Sequence, residues 1–273
     1  MTNPTKFHLQ GNSLDVIEKH FKGFPTVASY KAQDKQVGDW TVKQFPLNGA
    51  MGYFSNHSDM GHGIALLKGD TTWMSITPLE IESHLIPNYM AKGTTVIAGL
   101  GLGMITMSIL AKSKVKKLYV LEIDQELIDG FGDLLCDESQ KLWHDSLASG
   151  RLEVIQADCT QPLSSEVLSK VRGADYMWVD IWENIFDETA IPRTRYLQQQ
   201  IKAKTVDFWC MELEFLRKIP EVTNKGFSEQ ALYRAIELVN LPVSAITFRR
   251  KIKSVYAEIC LRAGHMLSKS KAG

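Results

Sequence analysis

Three acids in this chain stand where apolar runs end, and their types and spacing suit one kind of ligand. Glu122 closes the run LYVLE, Asp158 follows VIQA, and Asp180 closes YMWVD. A ribose diol takes a carboxylate acceptor, an adenine amino group takes another acceptor, and a cationic sulfur gains from nearby negative charge. Ahead of these acids the β-branched run 95–98 ends in Gly99, Gly101 and Gly103. Glycines let the backbone turn sharply, approach a ligand and leave helix-terminal N–H groups free. The amphipathic segment 104–111, the apolar run 118–121 and then Glu122 complete an order of strand, turn, helix, strand, acid. An open α/β sheet builds a nucleoside site in this way. A dinucleotide fingerprint G-x-G-x-x-G would need glycine where Met104 stands, which removes that reading.

The elements that must position these groups follow from periodicity. Short strands are expected over residues 40–45, 52–54 and 64–68, with a Gly69-Asp70 turn leading to 71–75, and together they make a small β-hairpin layer. A short helix is expected over 13–21, and a helix with proline in its first turn over 78–90. Strands over 94–98, 118–122, 152–156 and 175–180 then alternate with helices, one of them capped by Asp124 and another running through 166–171. Alternation of this kind implies a parallel sheet with ligand at its carboxyl ends. Beyond Asp180 the pattern predicts helices over 195–202 and 228–239. Residues 206–212 read equally as a fifth strand or as more helix, and the tail from Ile246 has helical spacing. The division expected is 1–77 as a β-rich region and 78–273 as the ligand-binding domain.

Composition sets further bounds. The 273 residues carry 31 basic and 31 acidic side chains, so no global field favours nucleic acid. No leading segment joins basic residues to a long apolar core and no 18-residue apolar run occurs, from which a soluble, cytoplasmic protein without a membrane partner is expected. Cys136, Cys159, Cys210 and Cys260 make no C-x-x-C pair, which argues for reduced thiols rather than a zinc site or disulfide framework. His57, Asp59 and His62 cluster in NHSDMGHG, read as a mobile surface loop and not as a metal site. The tail holds Arg249, Arg250, Lys251, Lys253, Arg262, Lys269 and Lys271 against Glu258, read as the solvated face of a packed helix.

The run G-x-G-x-G resembles the first motif of class I S-adenosylmethionine-dependent methyltransferases and of the spermidine synthase group. LEIDQELI (121–128) is similar to that group's second motif, and ADYMWVDIWEN (174–184) to its fourth, with Asp180 and Glu183 as the acids. LEIESHLIP (79–87) resembles the helix before the first strand of the group, and Ile97 also follows it; the likeness covers roughly 64–184. Two departures stand out: Leu102 replaces an acid between the last two glycines, and Glu183 stands where a D-x-x-D pattern would end.

The resemblance implies a doubly wound α/β, mostly parallel Rossmann-like sheet of the seven-stranded type, with a small N-terminal β-hairpin layer that would mediate a homodimer. It implies S-adenosylmethionine, or its decarboxylated form as the alternative, and no metal. Gly99, Leu100, Gly101 and Gly103 would hold the amino-acid portion, Glu122 with Ile123 the ribose side, and Asp158 with Cys159 the adenine. Asp180 would lie beside the cofactor and act as the base, with Glu80 facing the substrate and His84 near the cofactor as further catalytic groups. Trp182 and Glu183 would contact the acceptor, while Trp178, Trp209 and Trp73 read mainly as packing. Methyl transfer to a small-molecule acceptor is the expected activity. Aminopropyl transfer to a polyamine is the alternative, and a non-catalytic nucleoside-binding scaffold is the second alternative.

Overall fold

The computed structural model describes residues 20–21, 23–31, 35–55 and 61–270. Two sheets organise them. The first is antiparallel, in the order β1 (Lys35–Val37), β2 (Trp40–Leu47), β3 (Gly61–Lys68) and β4 (Thr71–Ile76). Residues that alternate inward, such as Trp40 and Val42 on β2, bury one face of it. Pro46 sits in β2 opposite His62 of β3, at a position that β1, pairing only with Trp40–Val42, leaves uncovered on the other side.

The strand expected over 52–54 does not form. The backbone there curls around a buried acid instead: Phe54 and Ser55 donate their N–H groups to Glu82 Oε2 at 2.8 and 3.1 Å. The helix expected over 78–90 is two helices, α1 (Pro78–Ser83) and α2 (Leu85–Met90), divided at His84. Pro87 explains the division, since it has no N–H to return to the Ser83 carbonyl one turn earlier.

The second sheet is parallel throughout. Its strands are β5 (Gly93–Ala98), β6 (Val115–Glu122), β7 (Leu152–Gln156), β8 (Tyr176–Val179) and β9 (Val206–Phe208), in the order β7-β6-β5-β8-β9. Val96, Ile97 and Ala98 of the central strand are fully buried, as expected of a sheet covered on both faces. The winding direction reverses at β5, so the carboxyl ends of β5, β6 and β8 meet at the switch point where such sheets take ligands.

Helices α3 (Met104–Leu110), α4 (Gln125–Leu134), α5 (Asp137–Ala148), α6 (Ser165–Val171) and α7 (Ala190–Ile201) flank this sheet. Asp124 caps α4, accepting from the N–H of Leu127 at 3.1 Å as its sequence position suggests. Helix α5 escaped the sequence reading because its buried side is little more than Trp143 and Ser146. Residues 206–212 combine both readings: β9 ends at Phe208, and α8 (Met211–Arg217) begins after Cys210 turns the chain with φ 58°.

Beyond α8 the described chain is helical, with α9 (Ile219–Val222), α10 (Glu229–Val239), α11 (Ser244–Thr247) and α12 (Arg250–Ser270). The parallel sheet thus has five strands among the described residues, and α12 packs along α8 through Tyr256, Ile259, Cys260 and Ala263. None of these helices is long and apolar enough to cross a membrane. Residues 13–19 of the expected first helix, and His57 and Asp59, lie outside the described residues; His62 is exposed on β3.

Candidate functional site

The turn after β5 is held open by its neighbours. Gly99 adopts φ +96°, and a Cβ there would stand 2.1 Å from the Asp180 carbonyl oxygen. Gly101, at φ +49°, would set a Cβ 2.1 Å from Met74 Sδ, so the antiparallel sheet covers the turn from one side. Met74 Sδ also accepts from the N–H of Leu102 at 3.0 Å, and Tyr30 donates its hydroxyl to the Leu102 carbonyl. Leu102 itself is fully buried. The N–H of Gly101 has no partner among the described residues, and Gly103 leads directly into α3.

Glu122, at the tip of β6, is only 8% exposed and braces this turn. Its Oε2 accepts from the N–H of Leu100 at 2.8 Å and its Oε1 from the N–H of Asp124 at 3.0 Å. Ile123 is 59% exposed between them, an apolar face at the strand tip. Asp124 completes its cap with an ion pair to Lys68 at 2.7 Å. Burial presses its carboxyl upward, but the Lys68 ammonium and the Leu127 N–H outweigh that and hold it low.

At the tip of β7, Asp158 Oδ1 accepts from the Thr160 N–H and hydroxyl at 2.8 and 2.6 Å. The neighbouring Cys159 thiol is buried and pushed up to about 12 by desolvation, then by the charges of Glu122 and Asp158. It is a packing residue at neutral pH.

The other half of the edge is assembled from side chains. Asp180 follows β8 with its side chain 22% exposed, and its Oδ2 lies 3.3 Å from Nε2 of the buried His84. His84 Nδ1 lies 2.7 Å from the Glu80 carbonyl oxygen, which can only accept, so Nδ1 carries a proton. Asp180 Oδ2 gives Nε2 an acceptor as well, an arrangement that favours the charged ring. Desolvation opposes that charge, but the Asp180 hydrogen bond and the Asp180 and Glu80 charges prevail and raise the His84 pKa. Glu80 Oε2 lies 3.9 Å from Nδ1, and its carboxyl is pushed up to about 8, chiefly by burial.

The structure therefore brings Glu80, His84 and Asp180 together, and sets Glu122 and Asp158 on adjoining strand tips. Of the two residues after Asp180 expected at the acceptor, Trp182 is 92% buried with its ring 6.3 Å from Phe208, and Glu183 is exposed. Trp178 packs on the His84 ring at 5.2 Å, while Trp73 is an exposed ring set edge-on to Trp40.

Sequence reasoning missed a set of buried acids behind Asp180. Glu212 accepts from the hydroxyls of Tyr53 and Tyr256 at 3.1 and 3.2 Å, and burial lifts it to about 7. Asp207 accepts from the Tyr176 hydroxyl at 3.0 Å and the Ser244 N–H at 2.9 Å, and burial lifts it to about 6. The available signal was an acid inside an apolar run, DFWCMELEFL. Glu80, Glu212 and Asp180 also act together on Cys210, whose thiol burial and these charges push well above its ordinary range.

The strand order, the glycine turn and the strand-end acid make up a doubly wound, Rossmann-like arrangement. No family model and no curated protein sequence matches the chain. Among solved structures it is similar to a spermidine synthase from Thermotoga maritima, with 14% identity, 67% of this chain and 56% of that chain covered, and a TM-score of 0.38. The methyltransferase domain of bacterial CtHen1-C is similar at 15% identity, over 46% of this chain and 60% of that one, with a TM-score of 0.32. The O-methyltransferase NcsB1 of neocarzinostatin biosynthesis, solved with S-adenosyl-L-homocysteine, is similar at 19% identity, over 40% and 31%, with a TM-score of 0.28. Each match spans less than two thirds of the solved chain, and at these identities the likeness is one of fold alone.

Proposed function

We propose that the chain is an S-adenosylmethionine-dependent transferase that moves a methyl group to a small-molecule acceptor. The observation that carries this reading is the brace of Glu122 on the glycine turn, on the same sheet edge as Asp158 and Asp180. The residues fit the cofactor: a free Gly101 N–H for its carboxylate, Glu122 for its ribose hydroxyls, exposed Ile123 for a ring face, and Asp158 for the adenine edge. Leu102, buried and apolar, leaves that carboxylate unopposed at the turn. When bound, S-adenosylmethionine would supply a methyl group already activated on a sulfonium. The chain's task is then alignment and exclusion of water. Asp180 would accept the acceptor's proton, with His84 holding its second oxygen in place.

Aminopropyl transfer to a polyamine is the second reading, and one observation favours it. Glu80, Asp180 and Glu212 form an acidic group with His84 as its cation, a setting that suits an ammonium-bearing acceptor. Product analysis separates the readings. Incubation with S-adenosylmethionine and candidate acceptors is expected to release S-adenosylhomocysteine. Release of methylthioadenosine from the decarboxylated cofactor, with none of the former product, would overturn the first reading in favour of the second.

A further inference from the structure

Nearly every N–H group of the turn after β5 is already committed. Gly99 donates to the Leu121 carbonyl at 2.8 Å, Leu100 to Glu122 Oε2 at 2.8 Å, and Gly103 to the Leu100 carbonyl at 2.7 Å. Leu102 donates to Met74 Sδ at 3.0 Å, so within 99–103 the Gly101 N–H alone lacks a partner among the described residues. The Leu102 carbonyl is taken as well, by the hydroxyl of the buried Tyr30. Both polar groups of this fully buried residue are therefore held by side chains from the part of the chain ahead of β5.

The register of β4 accounts for the delivery of Met74. Leu66 pairs with Met74 and Leu67 with Thr72, which leaves Trp73 as one extra residue in β4. A bulge of this kind re-aims the side chains beside it. Trp73 stays exposed, edge-on to Trp40, while the Met74 sulfur stands against Gly101, where a side chain on that residue would begin. A thioether is a weak, uncharged acceptor on a flexible stem. It satisfies the Leu102 N–H without a charge that would repel an anion at the neighbouring Gly101.

We propose that Met74 is a positioning residue of the cofactor site: by holding the Leu102 N–H it fixes the turn with Gly101 as the one open donor to the cofactor carboxylate. The role rests on the reading of this edge as a site for S-adenosylmethionine; the clamp on Leu102 does not. Its consequence is selective. Losing the clamp weakens a ligand that binds through a carboxylate and spares a ligand without one.

The test compares Met74→Leu, which keeps the apolar fill and removes the acceptor, with Met74→Gln, which restores an acceptor oxygen at similar reach. Leucine still covers the Leu102 N–H, so that group is orphaned rather than offered to the ligand, and the turn shifts to repair it. Amide hydrogen exchange of the full chain, read by NMR, is expected to be about 3–10-fold faster at Leu102 in Met74→Leu, the worth of one weak hydrogen bond. In Met74→Gln it returns to the original rate. Isothermal titration is expected to show S-adenosylmethionine bound about 3–10-fold more weakly by Met74→Leu and within about twofold by Met74→Gln. Decarboxylated S-adenosylmethionine should change by less than about twofold in both, as for an independent site. A packing role ranks the variants the other way, with glutamine the worse, and moves both ligands alike. Either result overturns the proposal, as does unchanged exchange at Leu102. If Met74→Leu fails to fold, site-specific replacement of Met74 by norleucine removes the sulfur and keeps the shape. Faster Leu102 exchange in Met74→Leu, with neither ligand bound by the unaltered chain, would sink the cofactor reading and leave the clamp standing. S-adenosylmethionine bound equally by all three chains would overturn the positioning role and leave that reading intact.

Discussion

The carboxyl edge of the parallel sheet carries two sets of acids that are held by different means. On the β6 and β7 side, Glu122 and Asp158 accept largely from backbone N–H groups within or next to their own loops. On the β8 and β9 side, Asp180 and Glu212 are held by side chains from distant segments, His84, Tyr53 and Tyr256, while Glu80 meets His84 one turn further along. Backbone partners cost little to pre-arrange. Side-chain partners bring burial, and burial is what lifts Glu80 and Glu212 toward neutral pH. In the proposed reading the first half would recognise the ligand and the second would hold and move protons.

Breaking the backbone-held half should give the largest effect. Gly99→Val places a side chain against the Asp180 carbonyl at a left-handed φ, and is expected to cost about 3 kcal/mol or more of stability. Thermal unfolding reads it; an unchanged Tm would mean the turn is not wedged against β8.

The side-chain half is probed next by Asp180→Asn. Turnover should fall by about 100-fold or more while cofactor affinity changes by less than about tenfold, the pattern for loss of a base. Equal losses in both would move Asp180 to the binding half.

Burial of the second set also makes a pH prediction. Glu212 binds its proton more tightly folded, at about 7, than unfolded, near 4.5. Between those values the native state holds more protons, so stability falls as pH rises through this window, and Asp207 and Glu80 add to the trend. Glu212→Gln should flatten the curve by about 1–3 kcal/mol across that range, measured by urea unfolding from pH 5 to 8. A slope as steep as that of the unaltered chain would show that Glu212 does not titrate with folding.

The smallest effect is expected at the rim of the backbone-held half. Lys68→Met removes a partly exposed ion pair with Asp124, and the helix cap survives through Leu127. Stability should drop by at most about 0.5 kcal/mol in the same unfolding assay.

The contrast between the halves also explains what the sequence disclosed. Glycines, a strand-end acid and a capping aspartate act through local backbone geometry, so the turn at Gly99, the tip at Glu122 and the cap at Asp124 were readable from spacing. The presence of β5, β6, β7 and β8 in a parallel sheet followed from alternation alone. Glu82, Asp207 and Glu212 were not readable because their partners lie elsewhere in the chain: Phe54 and Ser55, Tyr176 and Ser244, Tyr53 and Tyr256. The packing of Trp182 was not readable either: its place after a strand-end acid suggested a ligand contact and gave no sign that the ring is largely buried beside Phe208. His84 was picked by resemblance, while its neighbour Ser83 carries no local signature.

The central claim is that the edge braced by Glu122 is a site for S-adenosylmethionine. Isothermal titration of S-adenosylmethionine and S-adenosylhomocysteine into the unaltered chain and into Glu122→Gln tests it most directly. Saturable binding of both ligands is expected, weakened about 10–100-fold by the substitution, as for loss of a charge-assisted hydrogen bond with a folded turn retained. No binding to the unaltered chain, or equal affinity in the variant, would contradict the account.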